Sequence, residues 1–128
     1  MGNRILCIED NLDNLMLFKR ILEASGYEIL RATNGQDGLA IADNQPIDLV
    51  LLDVNLPDVD GDEVVRRLRA SPRYALASVP IIMVSASALK GDAQKALSAG
   101  CNLYMTKPID INEFSSQVGF YIGREAQS

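Results

Sequence analysis

The sequence predicts an α/β fold, a doubly wound parallel sheet of five strands built from five successive βα units. Three observations predict it. Short runs of β-branched and aliphatic residues alternate with helical patterns along the whole length. The third and fourth runs, DLVLLD and PIIMVS, are apolar on both alternations, as strands buried on both faces are, and so belong in the middle of the sheet. A chain of 128 residues, 48% hydrophobic and 23% charged, suits a single domain around one core.

The elements follow in order. RILCIE (4 to 9) is the first strand, and Asn11 is placed to cap a helix in which Leu15, Phe18 and Leu22 recur at spacings of three and four. Gly26 sits where that helix needs a C-terminus. EILRA (28 to 32) is the second strand, and Asn34-Gly35 marks a turn before the second helix. DLVLLD (48 to 53) is the third strand, Asp60 is an N-cap, and Val64, Val65 and Leu68 stripe the third helix. Pro80 opens PIIMVS (80 to 85), the fourth strand, at a position that costs no ladder bond. Ala93, Ala96 and Leu97 form the inner face of the fourth helix and Gly100 its end. NLYMT (102 to 106) is the fifth strand, and Phe114, Val118 and Ile122 face inward from a fifth helix running to about Gly123. For five such units the strand order 2-1-3-4-5 is a common solution, with its ligand crevice at the carboxyl ends of the strands, at the switch point between strands 1 and 3.

Composition narrows the function. Twelve Lys and Arg stand against 17 Asp and Glu, a formal charge of -5, so the overall field repels polyphosphate chains and acidic membrane surfaces, and no nucleic acid partner is expected. There is no run of about 20 apolar residues for membrane insertion, and MGNRILCIED lacks the regions of a signal peptide, so a cytoplasmic location is expected. Cys7 and Cys101 are expected to be structural thiols. Histidine is absent, which removes Ser-His-Asp triads, Cys-His pairs and His-ligated zinc together. Carboxylates, hydroxyls, lysine and a hard metal are what remain.

The strand ends deliver those groups to one place. Glu9 and Asp10 follow the first strand, Asp53 the third, Ser85 the fourth and Lys107 the fifth, whereas the second delivers nothing comparable. Two like charges about 4 Å apart repel by roughly 4 kcal/mol at an effective dielectric near 20, so three converging carboxylates call for a cation. Oxygen-only ligands on a rigid scaffold fit Mg2+, or Mn2+, better than zinc. A carboxylate beside a divalent cation, a lysine and a hydroxyl is equipment for phosphoryl transfer to Asp53, which needs no general base.

These residues resemble the phosphoacceptor receiver domain of two-component response regulators, a CheY-like family with a flavodoxin-like fold. The resemblance runs through ILCIEDN, DLVLLDVNLPDVDG, PIIMVSA and AGCNLYMTKP, nearly the whole chain, in the family's order and spacing. It implies that Asp53 is the phosphorylated aspartate, that Asp10 ligates the metal directly with Glu9 helping, and that Asn55 offers its backbone carbonyl. Ser85 corresponds to the hydroxyl residue that follows the phosphoryl group, Tyr104 to the aromatic that changes rotamer with it, and Lys107 to the phosphate-pairing lysine, its bond to Pro108 implied to be cis. Glu9 and Ser85 stand where the family more often has aspartate and threonine.

The function implied is a signalling receiver over residues 1–128, with no output domain after the fifth helix. It takes a phosphoryl group from a phosphohistidine on a sensor histidine kinase or histidine phosphotransfer protein and switches the face of helix 4, strand 5 and helix 5 for a downstream protein target. It catalyses only its own phosphorylation and slow dephosphorylation, so it is not expected to be an enzyme in the turnover sense. The chain reads equally as a stand-alone receiver or as one cut from a hybrid histidine kinase. Asn55 and Ser87 lie where side chains could tune the phosphoryl lifetime. The alternatives are a docking module that works without phosphorylation, and a Mg2+-dependent phosphohydrolase using Asp53 covalently.

Singly, each residue has a structural reading: Asp53 as a turn residue, Glu9 to Asn11 as a capping cluster, Lys107 as a solvated charge, Tyr104 as packing. Only their coincidence at one end of one sheet argues chemistry. Other motifs fail, since Pro57 and Asp58 break a calcium loop at DVNLPD, and neither G-x-x-x-x-G-K-[ST] nor G-x-G-x-x-G occurs.

Overall fold

The computed structural model describes residues 3–86 and 89–126, with side chains as far as residue 123. Strands β1 (Arg4–Ile8), β2 (Glu28–Ala32), β3 (Leu49–Asp53), β4 (Ile81–Ser85) and β5 (Leu103–Thr106) pair in parallel in the order β2-β1-β3-β4-β5. Helices α1 (Leu12–Ala24), α2 (Gly35–Asn44), α3 (Gly61–Arg69), α4 (Tyr74–Ala77), α5 (Lys90–Ala99) and α6 (Ile111–Ala126) complete it. This is the doubly wound order expected, with β3 at the centre. The expected fourth and fifth helices are therefore α5 and α6, because a single helical turn, α4, interposes before β4.

Every residue of β3 and β4 is buried, which is why both alternations had to be apolar. The alternation splits the core in two. Leu6, Ile8, Val50, Leu52, Ile81 and Met83 meet Ala42, Val64, Val65, Leu68, Leu76 and Ala96 on the side covered by α2 to α5. Ile5, Cys7, Leu49, Leu51, Ile82 and Val84 meet Leu15, Phe18, Leu22, Phe114, Val118 and Ile122 on the side covered by α1 and α6, with Phe18 and Phe114 5.3 Å apart between ring centroids.

The helix stripes hold for α1, α3 and α6, and fail in one place. Leu97 is 49% exposed, and the inner face of α5 is left to alanines, of which Ala96 is fully buried. The caps also differ in detail. Asn11 accepts from the Asn14 N–H at 3.0 Å as expected. Asn34 is an N-cap rather than part of a turn, accepting from the Asp37 N–H at 2.8 Å. Asp60 occupies the N-cap position of α3 but makes no side-chain cap bond. Its neighbour Asp58 caps a different helix, its carboxylate accepting from the Gly35 N–H at 2.8 Å and the Gln36 N–H at 2.9 Å at the start of α2. Those backbone donors hold the Asp58 carboxyl below the usual range.

Candidate functional site

The sheet brings the carboxyl ends of β1, β3, β4 and β5 together, and the loops that follow carry the charged groups. Glu9 is 1% exposed and Asp53 6% exposed, while Asp10 beside them faces solvent. One carboxylate oxygen of each lies within 4.8 Å of the others. Lys107, delivered by β5, places its Nζ 3.2 Å from Glu9 Oε1 and 3.2 Å from Asp53 Oδ2. The lysine is held there by its own backbone, whose N–H donates to the Ser85 carbonyl at 2.7 Å, and its bond to Pro108 is cis.

Local backbone fixes Asp53 in the same way. The Asn55 N–H donates to Asp53 Oδ1 at 2.9 Å, so the carboxylate is oriented by the loop it starts. That loop closes on itself through the Gly61 N–H on the Val54 carbonyl at 3.0 Å and a bridge between Asn55 and Asp60. Gly61 is required there, since a Cβ would meet Val54 Cα at 2.8 Å. Asp48, the first aspartate of the stretch, stands at the other end of the strand and accepts from the Arg4 N–H at 2.7 Å.

The electrostatics show a cluster rich in negative charge. Burial first, then the adjacent Asp53 carboxylate, pushes the Glu9 carboxyl up to about 7 against the Asn11 N–H and Lys107. Desolvation works against the Lys107 ammonium, but Asp53 and Glu9 outweigh it and hold its pKa above the usual lysine value. One ammonium faces two buried carboxylates, with a third exposed at their edge. That donor set is all oxygen and short of positive charge, and it fits a hard divalent cation.

Ser85 ends β4 and is 1% exposed. Tyr104 lies mid-strand in β5 and packs half-buried against the α2 to α5 core. Both line a cleft of about 220 Å3 together with Asn55, Asp62 and Lys95. Alternation separates these two from the acidic pair. Glu9 and Asp53 continue the register of Cys7 and Leu51 toward α1 and α6, whereas Ser85 and Tyr104 fall on the side of α3 and α5. Ser87 lies outside the described residues. Cys7 and Cys101 are buried free thiols, with burial pushing Cys7 up and Cys101 up to about 11, which disfavours their thiolates.

Sequence reasoning missed two groups, one at the cleft and one away from it. Asp62, 7% exposed in the first turn of α3, faces Lys95 of α5 at 3.6 Å. Arg69, at the end of α3, donates to the carbonyls of Ala77, Val79 and Gly100 and to the side chain of Asn102. Nothing in the pattern RRLRA singles out which arginine turns inward.

Comparison with known proteins agrees with this fold. Residues 5–119 match the family model of the response regulator receiver domain. The chain is 38% identical over 123 residues to the polar-differentiation response regulator DivK of Brucella anthropi, covering 96% of this chain and 98% of that one, and 37% identical to DivK of Brucella ovis over the same shares. Among solved structures it superposes with a TM-score of 0.87 on the receiver domain of the sensor histidine kinase PA1611 from Pseudomonas aeruginosa PAO1, 34% identical, covering 96% of this chain and 99% of that one. That structure has a magnesium ion coordinated in its active site cleft. A CheY-like receiver domain protein from Methanospirillum hungatei JF-1 also gives 0.87 at 28% identity, over 99% of this chain and 98% of that one. With its strand order and nearly its whole length accounted for in this way, the chain belongs to the response regulator receiver domain family of two-component signalling.

Proposed function

We propose that Asp53 is the phosphoacceptor of a receiver that takes a phosphoryl group from a phosphohistidine on a partner protein. The observation that carries this is Lys107, whose Nζ lies 3.2 Å from both Glu9 and Asp53 at the carboxyl end of the sheet. An ammonium in that position is spaced to pair with phosphoryl oxygens on Asp53. Glu9, Asp10, Asp53 and the Asn55 carbonyl would hold Mg2+, with Mn2+ a substitute, and a divalent cation bound there supplies charge neutralisation for the transferring group.

In the reaction an Asp53 carboxylate oxygen attacks phosphorus, the phosphorus–nitrogen bond of the donor breaks, and the electron pair leaves on the imidazole. The product is an acyl phosphate on Asp53. Lys107 neutralises one equatorial oxygen and Ser85 hydrogen-bonds another. The donor histidine must come from a partner, a sensor kinase or a phosphotransfer protein, because this chain has none. A groove of about 480 Å3 lined by Leu17, Phe18, Pro108 and Ile109 opens beside Lys107, with Leu17 45% exposed, which supports a protein donor at this end.

Phosphorylation adds about -1.5 to -2 charge. Ser85 moves toward it, Tyr104 takes the space, and the face of α5, β5 and α6 changes its affinity for a downstream protein by a coupling of about 1 to 3 kcal/mol. Turnover is confined to its own acyl phosphate. Among the described residues no helix is long and apolar enough to cross a membrane, in keeping with a receiver meeting its partners in the cytoplasm. Incubation with Mg2+ and acetyl phosphate, followed by intact mass measurement, tests the reading. A gain of one phosphoryl group, lost in Asp53→Asn, is expected, and a gain that survives Asp53→Asn would falsify it.

A further inference from the structure

Helix α5 rests on the domain through very little apolar surface. Its inward positions are Ala93, Ala96 and Ala99, of which Ala96 is fully buried and the other two half-buried. Among the described residues two polar ties accompany them, besides the contacts that Leu89 and Asp92 make at the other end of the helix. At the C-terminal end, Arg69 Nε donates to the Gly100 carbonyl at 2.9 Å and Arg69 Nη2 to Asn102 Oδ1 at 2.8 Å, while Nη1 is engaged by Ala77 and Val79. Asn102 Oδ1 also accepts from the Ile81 N–H at 2.8 Å, so the tie reaches β4. Gly100 has φ +122°, and a Cβ there would meet Arg69 Cγ at 2.9 Å, which leaves this end little play.

The second tie lies near the middle of the helix. Lys95 Nζ faces Asp62 Oδ2 across the gap to α3 at 3.6 Å, the lysine side chain 67% exposed and the aspartate 10% exposed. Among the described residues Lys95 is the one cation within ion-pair reach of Asp62. The pair spans the 220 Å3 cleft that Ser85 and Tyr104 also line. An ion pair with one exposed partner is weak, and the cleft beside Asp62 can admit water if the lysine withdraws, so the contact is breakable at modest cost.

We propose that α5 is a lever, hinged at its C-terminal end on Arg69 and latched at mid-length by Lys95 on Asp62, the latch being made in the unphosphorylated arrangement and released when Asp53 is phosphorylated. The second half of this statement rests on the phosphoacceptor reading, and the first does not. A contact made in one state shifts the equilibrium by its own worth, and by linkage it shifts the affinity for the phosphoryl group by the same factor.

Two measurements on the full chain test it, with Lys95→Met, Asp62→Asn and the double variant. Amide hydrogen exchange without any phosphodonor is expected to quicken about two- to fivefold over residues 89–95 in each single variant, to stay unchanged over residues 97–101, and to be no faster in the double variant. Beryllofluoride with Mg2+, as a phosphoryl mimic, is expected to bind the single variants about two- to fivefold more tightly than the parent. Unchanged exchange in both single variants overturns the latch, and acceleration extending through residues 97–101 overturns the hinge. Faster exchange with unchanged beryllofluoride affinity overturns the coupling. A parent that binds no beryllofluoride at Asp53 sinks the phosphoacceptor reading and the coupling with it, and the exchange result still decides hinge and latch.

Discussion

Helices α3 and α5 line the same cleft and are held by different forces. Val64, Val65 and Leu68 of α3 are buried to 1% exposure or less, each worth on the order of 1.5 to 3 kcal/mol. The fully buried residue of α5 is Ala96, whose methyl is worth about 0.8 kcal/mol. The connections differ as well, since α3 starts at a glycine pressed against the Val54 backbone. Close packing therefore immobilises the helix that shares a loop with Asp53, and polar ties hold the helix that follows Ser85. Burial gives a fixed mount, whereas hydrogen bonds and an exposed ion pair give a position that can be exchanged for another.

The sharpest way to break that contrast is Leu68→Ala, which is expected to cost about 2 to 5 kcal/mol in denaturant unfolding, because the surrounding core cannot collapse around the cavity. A cost below about 1 kcal/mol would mean that α3 is no more firmly seated than α5. Gly61→Ala is expected to cost about 1 to 3 kcal/mol by overpacking and also to slow phosphorylation from acetyl phosphate, since the clash falls on the loop that orients Asp53. Mg2+ at ten times its dissociation constant is expected to stabilise the protein by about 1.4 kcal/mol over EDTA, and Asp10→Asn to abolish the difference, as read in thermal melts. At the other extreme, Leu97→Ala on α5 is expected to change stability by about 0.5 kcal/mol or less. A loss of 2 kcal/mol there would show that the leucine packs inward and that α5 is not lightly held.

What the sequence made legible follows the same division. The central strands β3 and β4 could be placed because burial on both faces demands unbroken apolar runs, and the stripes of α1, α3 and α6 because large residues at helical spacing have one use. The charged groups could be collected because strand ends in a doubly wound sheet converge whatever the loops do. Leu97 misled, since alanines alone complete the inner face of α5 and the leucine falls outside it. Helix α4 is one turn long and has no period to detect. Asp58 and Arg69 were out of reach for another reason. Each makes most of its bonds to backbone atoms away from its own loop or helix, and a carbonyl or an N–H leaves no trace in the identity of the residue that carries it.

The alternation of the strands has a consequence for divergence among such domains. Glu9 and Asp53 register with one layer of the sheet, and Ser85 and Tyr104 with the other. Substitutions among α3, α5 and their ties therefore act first on Ser85 and Tyr104, and those on α1 and α6 act first on the acidic pair. The proposed output face of α5, β5 and α6 draws on both layers, so a change in what the domain speaks to weighs on how it is addressed when it falls on α6, and least when it falls on α5.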